Sequence, residues 1–151
     1  MRIALTFAAC FALALCPFRG AAQDRPSFSG AWQFDASKSD LKSAKISSAT
    51  WVIEEGDNSI HITENEGGKN KKVELQCTTD GKECQVTGDK AKASFWYNGP
   101  MLVEMETKGE RVTRFRMKIS DDGKTLTVEI NHLVPQTDKT DVLVFAKQPQ
   151  A

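Results

Sequence analysis

The residues best suited to chemistry in this chain are apolar side chains that strand alternation would place on one face of a sheet. Methionine adapts its shape to its surroundings, and surfaces that combine methionine with aromatic rings suit small apolar ligands. The predicted contacts on this face are Trp96, Met101, Met105, Phe115 and Met117. The same side chains could instead fill the interior of a barrel, so the pattern leaves a lined cavity and a packed core both open.

Two polar groups fall among these strands. Thr113 is expected opposite His132, where the imidazole could orient the polar head of a ligand or simply hydrogen-bond to its neighbour. Trp51 is expected opposite Glu64, with Glu55 on the same face. A buried carboxylate without a cation would have a raised pKa and could do acid–base work, whereas one at a strand end would lie in water. Trp51, Thr113 and His132 therefore join the ligand-binding candidates.

Other kinds of site lack the residues they need. The sequence has no nucleophile–base–orienter set, no phosphate-cradling glycine loop and no basic–aromatic patch. The Asp-containing clusters at 57–58, 80–81 and 121–123 lack EF-hand spacing and lie where hairpin turns are needed. His61 and His132 are expected on opposite faces and cannot share a metal. We predict no catalytic residue, no enzyme activity, no metal, no cofactor and no nucleic-acid partner.

The first 22 residues have the features of a secretory signal peptide. A positive start at Arg2 precedes an uncharged apolar run over residues 3–15, and small residues allow cleavage after Ala22. The run is shorter than the roughly 20 residues of a membrane helix, and a lipid anchor at Cys16 is disfavoured by the bulky Leu15 before it. We predict an exported chain, periplasmic or extracellular, without a membrane span and with one domain over residues 23–151.

Two cysteines remain after cleavage. Cys77 and Cys84 bracket six residues that include Asp80-Gly81, a turn signal. In an oxidising compartment an isolated pair at hairpin spacing predicts one disulfide. A metal or redox site would require CxxC spacing or nearby histidines, and neither is present.

From Trp51 to Lys147 short runs alternate apolar and polar residues, and each run ends at a turn signal. This pattern is typical of antiparallel strands joined by hairpins. An earlier strand covers residues 28–34, and the polar connection at 35–49 could cover one end of the structure. The sequence therefore predicts an all-β, antiparallel up-and-down barrel of about eight to ten strands.

The register of the hairpins decides which side chains face inward. Between residues 101–107 and 111–120, we expect Glu104 opposite Arg114 on the solvent side, because that choice separates apolar from charged residues. A four-residue loop at 121–124 then sets Phe115 opposite Ile130. The turn at Asn98-Gly99 adds Trp96 to the same face. The predicted inner wall is Trp96, Met101, Val103, Met105, Phe115, Met117, Ile119, Leu126, Val128 and Ile130.

Residues 28–39 (FSGAWQFDASKS) and 120–128 (SDDGKTLTV) resemble a group of small exported bacterial lipocalin-like proteins of uncharacterised function. The likeness includes residues 96–106 and 144–147 and so covers nearly the whole mature chain. It implies a lipocalin/calycin-like barrel and an envelope location, and it implies no particular ligand. Gly30-Ala31-Trp32 also resembles the G-x-W opening of lipocalins, which implies that Trp32 closes one end of the barrel. Lys147 stands where an arginine would pack on that ring.

These observations favour a non-catalytic binding protein for a small apolar or amphipathic ligand inside the barrel. The alternative is an envelope structural or protein-interaction module with a packed interior, whose protein partner the residues do not specify.

Overall fold

The computed structural model describes residues 25–67 and 71–149. Ten antiparallel strands form a closed barrel in which each strand pairs with its neighbours in sequence and the first pairs with the last. The strands are β1 (Gly30–Phe34), β2 (Ala49–Glu55), β3 (Ser59–Glu66), β4 (Lys71–Thr78), β5 (Asp80–Thr87), β6 (Lys92–Asn98), β7 (Met101–Lys108), β8 (Arg111–Ile119), β9 (Thr125–Val134) and β10 (Gln136–Lys147). The predicted up-and-down barrel of about eight to ten strands is confirmed.

The predicted signal peptide at residues 1–22 lies outside the described residues and stays a prediction, as does the domain boundary at residue 23. Within the described ranges, no helix is long and apolar enough to cross a membrane.

Alternation builds the core, because inward side chains from every strand meet along the barrel axis. The inward side chains of β8 and β9 agree with the prediction. Phe115 pairs with Ile130, Met117 with Val128, and Ile119 with Leu126. All of these except the partly buried Phe115 are buried. The predicted loop at 121–124 is also present, since the Ser120 N–H donates to the Thr125 carbonyl at 2.9 Å across it.

The hairpin between β7 and β8 differs from the prediction by one residue. Lys108 pairs with Arg111 across a two-residue turn, Gly109-Glu110, and Gly109 has a φ of +60°. Two-residue hairpin turns favour positive φ, which glycine adopts at little cost. This turn places Glu104 opposite Phe115 instead of opposite Arg114.

A shift of one residue moves every β7 side chain to the other face of the sheet. The prediction that Met101, Val103 and Met105 line the interior is therefore wrong. Val103 pairs with Arg116 and Met105 with Arg114 on the outer face. The inward residues of β7 are instead Leu102, Glu104 and Glu106.

The inward prediction for Trp96 is wrong for the same reason. Trp96 pairs with Val103 and shares a face with Met101 as expected, but that face is the outer one. Its neighbour Phe95 is fully buried in the core. The β6–β7 turn uses Gly99-Pro100, because Asn98 pairs with Met101.

The predicted disulfide is present between Cys77 on β4 and Cys84 on β5, with a Cα–Cα distance of 5.5 Å. It joins neighbouring strands of the barrel wall, and Cys77 is buried in the core.

Candidate functional site

The site begins with the way the barrel is closed at one end. Trp32 is fully buried, and its indole N–H donates to the Phe28 carbonyl at 2.9 Å. The Lys147 ammonium lies 5.2 Å from the centre of the Trp32 ring, within the range of a cation–π contact. The role of Trp32 as the closing residue is thus consistent with its contacts, and Lys147 takes the position expected for an arginine.

Glu55 belongs to this closed end and not to the cavity. Its Oε2 accepts hydrogen bonds from the backbone N–H groups of Phe28 and Ser29 at 2.7 and 3.0 Å. Its Oε1 accepts from the Tyr97 hydroxyl at 2.8 Å. The carboxylate therefore holds the segment before β1 across the end of the barrel, which is a structural role.

A cavity of about 140 Å³ lies in the barrel interior. Its apolar walls are formed by Ile46, Ala49, Trp51, Val73, Leu75, Phe115, Ile130 and Leu143. Its polar walls are formed by Glu64, Asn65, Glu66, Glu104 and Glu106. Pockets for drug-sized ligands have volumes of roughly 300–1,000 Å³, so this cavity suits a much smaller molecule. An apolar cavity of about 150 Å³ is known to hold benzene.

The connection between β1 and β2 lies against the cavity, as its length suggested. Ile46 from this segment contributes to the wall, and Asp40 forms a β-bridge with Val142 of β10. The buried Asp141 anchors residues 42–44 of the same connection. Its carboxylate accepts hydrogen bonds from the backbone N–H groups of residues 42–44 at 2.5–3.2 Å and from the Ser43 hydroxyl. Burial raises the pKa of Asp141, but these donors outweigh it and leave the pKa below its usual value.

Three inward carboxyl groups meet at the cavity. Glu104 is 3% exposed, and burial raises its pKa well above the usual range, reinforced by the charges of Glu64 and Glu106. Burial likewise raises the pKa of the partly exposed Glu64 to about 7, helped by Glu106 and Glu66 and opposed by Lys71. The same cause raises the pKa of Glu106. Glu64 can therefore hold a proton near neutral pH, and each of the three groups can pair with a cation when it is ionised.

The structure brings together only some of the predicted site residues. Trp51 and Phe115 line the cavity, and Trp51 pairs with Glu64 as expected. Met117 is fully buried in the packed part of the interior. Trp96, Met101 and Met105 lie on the outer face, so they cannot contact a molecule inside the barrel.

Thr113 and His132 face each other as predicted, with 3.4 Å between Oγ1 and Nδ1. They lie one inward position beyond Phe115 and Ile130, and neither forms a wall of the cavity. His132 Nε2 is 4.0 Å from the Asp141 carboxylate. These contacts fit the hydrogen-bonded alternative for His132, and a ligand contact there stays a prediction.

Sequence reasoning missed Glu104 and Glu106, which it placed in solvent. Gly109 is the sequence signal that could have identified them. A glycine there favours a two-residue turn, and the register of that turn places Glu104 and Glu106 on the inner face. Among the described residues, no group of three or more His, Cys, Asp or Glu side chains is arranged to hold a metal ion.

No protein-family model matches the chain, and no curated protein sequence matches it significantly. Solved structures of similar fold do exist. A mutant of the fluorescent protein UnaG is 15% identical with a TM-score of 0.62, covering 82% of this chain and 97% of that one. The REP1-NXSQ fatty acid transporter is 13% identical with a TM-score of 0.63 and the same coverage.

A secretory abundant heat soluble protein from Ramazzottius varieornatus is also similar. It is 13% identical with a TM-score of 0.64, covering 80% of this chain and 95% of that one. At such identities the likeness concerns the fold alone, which is that of the lipocalin/calycin-like barrels.

Proposed function

We propose that this chain is an exported, non-catalytic protein that binds a small apolar or amphipathic molecule inside the barrel. The observation that carries the proposal is the cavity of about 140 Å³ between Trp51, Leu75 and Phe115. Burial of apolar ligand surface against such walls contributes roughly 25 cal/mol per Å². The fatty acid transporter among the similar structures has a barrel of the same kind.

A cavity-filling variant tests this proposal. Ala49 lies on the cavity wall, whereas Ala146 lies on the outer face of β10 next to the inward Phe145. We expect neutral molecules of benzene size, such as benzyl alcohol and hexanol, to change the fluorescence of Trp51. Ala49→Leu should abolish this response because its side chain occupies the cavity, and Ala146→Leu should preserve it.

The readout needs its own control, since the chain has three tryptophans. Trp51→Phe should remove the fluorescence change, while Trp96→Phe should leave it, because Trp96 lies on the outer face. Thermal unfolding of each variant checks that it is folded. The absence of binding by any neutral probe to the folded wild type would refute the proposal.

The alternative is a structural or protein-interaction module in the cell envelope. It is favoured by the packing of the other inward side chains, since Met117, Leu126, Val128 and Phe145 are all fully buried. This alternative predicts that no probe binds and that Ala49→Leu raises the melting temperature without loss of any binding.

Export is tested separately. The disulfide is consistent with an oxidising compartment, and the apolar run before Ala22 supplies the signal. We expect mass spectrometry of the mature protein to find Gln23 at its amino terminus. Retention of Met1 in a protein recovered from the cytoplasm would contradict this part of the proposal.

A further inference from the structure

The chemistry of the cavity wall restricts the charge of a ligand. Its ionisable side chains are all acidic, and none of its wall residues within the described part of the chain is Lys, Arg or His. Arg114 and Arg116, on the neighbouring β8, lie on the outer face opposite Met105 and Val103. A carboxylate ligand would therefore find no cationic partner among the described wall residues of this cavity.

Glu104 is a buried carboxyl group without a partner. It pairs in the sheet with Phe95 on one side and Phe115 on the other, and it is 3% exposed. Among residues 25–67 and 71–149, no group hydrogen-bonds or ion-pairs with it. Its carboxyl oxygens are not sealed inside the protein, since among the described residues the only buried side-chain polar atom without a partner is Arg114 Nε. Its position on the cavity wall means that a molecule in the cavity can supply the missing contact.

The nearby lysines are already engaged. Lys71 and Lys108 each form an ion pair with Asp89, at 2.7 and 2.6 Å. Asp89 lies in the connection between β5 and β6. Both lysine side chains are more than one-third exposed. They favour the charged forms of Glu64 and Glu106 from a distance but do not enter the cavity.

We propose that the ligand is a small primary amine with an apolar body of about benzene size, whose ammonium group binds Glu104 and Glu64. This inference rests on the proposed binding function and specifies the ligand class. The ammonium donates hydrogen bonds to the two carboxylates, and Trp51, Leu75 and Phe115 contact the apolar body. A charge-assisted hydrogen bond in a low-dielectric site is about twice as strong as a neutral one.

Binding has a defined proton balance. In the free protein the raised pKa values of Glu64 and Glu104 favour the neutral acids. When an ammonium ion binds, the carboxyl groups ionise and release protons to solvent. Amine binding should therefore weaken as the pH falls through about 7.

Other ionisable groups face the same region and belong in the interpretation of this pH dependence. Glu66 and Glu106 lie on the cavity wall, and Asp89 is near Glu106. His132 and Asp141 lie beyond the wall on β9 and β10. Their contributions to the pH dependence of binding should remain when Glu104 and Glu64 are replaced.

The test compares benzylamine, benzyl alcohol and benzoate, three probes with the same ring and different charge. We expect wild-type protein at pH 8 to bind benzylamine about tenfold more tightly than benzyl alcohol in calorimetric titrations, and to bind benzoate most weakly. Glu104→Gln and Glu64→Gln should each reduce the preference for the amine to about threefold or less while retaining benzyl alcohol. Glu110→Gln, which removes a carboxylate from the exposed β7–β8 turn, should leave the preference unchanged.

The possible outcomes separate the two proposals. Equal binding of benzylamine and benzyl alcohol, or a preference that survives Glu104→Gln, would overturn the amine assignment and leave the binding function intact. Tightest binding of benzoate would do the same. Binding of none of the probes would overturn the proposed function and the amine assignment together. If Glu104→Gln does not fold, Glu64→Gln and the loss of amine preference at pH 5 decide the question.

Discussion

Replacing Glu64 with Gln should stabilise the protein at alkaline pH and not at acidic pH. Glu64 lies on the cavity wall, and burial raises its pKa from 4.5 to about 7. A carboxyl group with a raised pKa binds its proton more tightly in the folded state than in the unfolded chain. The contribution of Glu64 to the stability of the wild-type protein is therefore most favourable below pH 4.5, and it is lost as the pH rises through about 7. Gln keeps the shape of the side chain without this penalty.

The magnitude follows from the two pKa values. The interval from 4.5 to about 7, at about 1.4 kcal/mol per pH unit, gives about 3.5 kcal/mol above pH 7. Glu64 is partly exposed, and solvent screens its charge, so we take this as an upper limit and expect about 1–2 kcal/mol. For a domain of this size that corresponds to a rise in melting temperature of roughly 3–10 °C.

The assay is urea unfolding followed by circular dichroism at pH 4.5 and pH 8.5 with the disulfide intact. Glu64→Gln should exceed wild type in unfolding free energy at pH 8.5 and match it at pH 4.5. Glu110→Gln removes a carboxylate from an exposed turn and should differ little from wild type at either pH. Equal effects of Glu64→Gln at both pH values would show that its carboxylate is not desolvated, and the reasoning about the cavity would fail.

Three further predictions concern the elements around the site. Asp141→Asn should lower the free energy of unfolding by about 1–3 kcal/mol. It should also speed amide hydrogen exchange at residues 42–44, because the covering segment loses its anionic acceptor. Unchanged protection of these amides would contradict the anchoring role. Trp32→Ala should cost about 3–5 kcal/mol in chemical denaturation, and Trp96→Ala clearly less, since only Trp32 is fully buried; a reversed order would contradict the assigned faces. Replacing Cys77 and Cys84 with Ala should cost about 2 kcal/mol, because the loop they close is short, and no change in the urea midpoint would argue against a stabilising disulfide.

The β8–β9 pairing was predictable because two local signals agreed. Apolar residues alternate on both strands, and the Asp122-Gly123 turn fixes the loop that joins them. The facing of Thr113 and His132 and of Trp51 and Glu64 followed from the same kind of evidence. On β7 the signals disagreed, since alternation favoured Val103 and Met105 inside whereas the turn at Gly109 required Glu104 inside.

The candidate site was less predictable than the barrel. Trp51 and Phe115 were identified from their facing, but Glu104 looked like a solvent residue beside arginines. Whether a buried carboxylate is tolerated depends on the space next to it, and that space is formed by side chains from β2, β3, β4, β8, β9 and β10 together. Spacing along one strand carries no information about this volume.

The sequence by itself determined the strand order, the hairpin connectivity, the disulfide and most inward faces, because these depend on period-2 alternation and on turn residues that act locally. Only the tertiary structure decided where the interior remains unfilled, and it resolved the conflict on β7 between alternation and the turn at Gly109. Barrel closure fixes the stagger of all ten strands at once. One two-residue turn then sets whether a row of methionines or a row of glutamates lies inside.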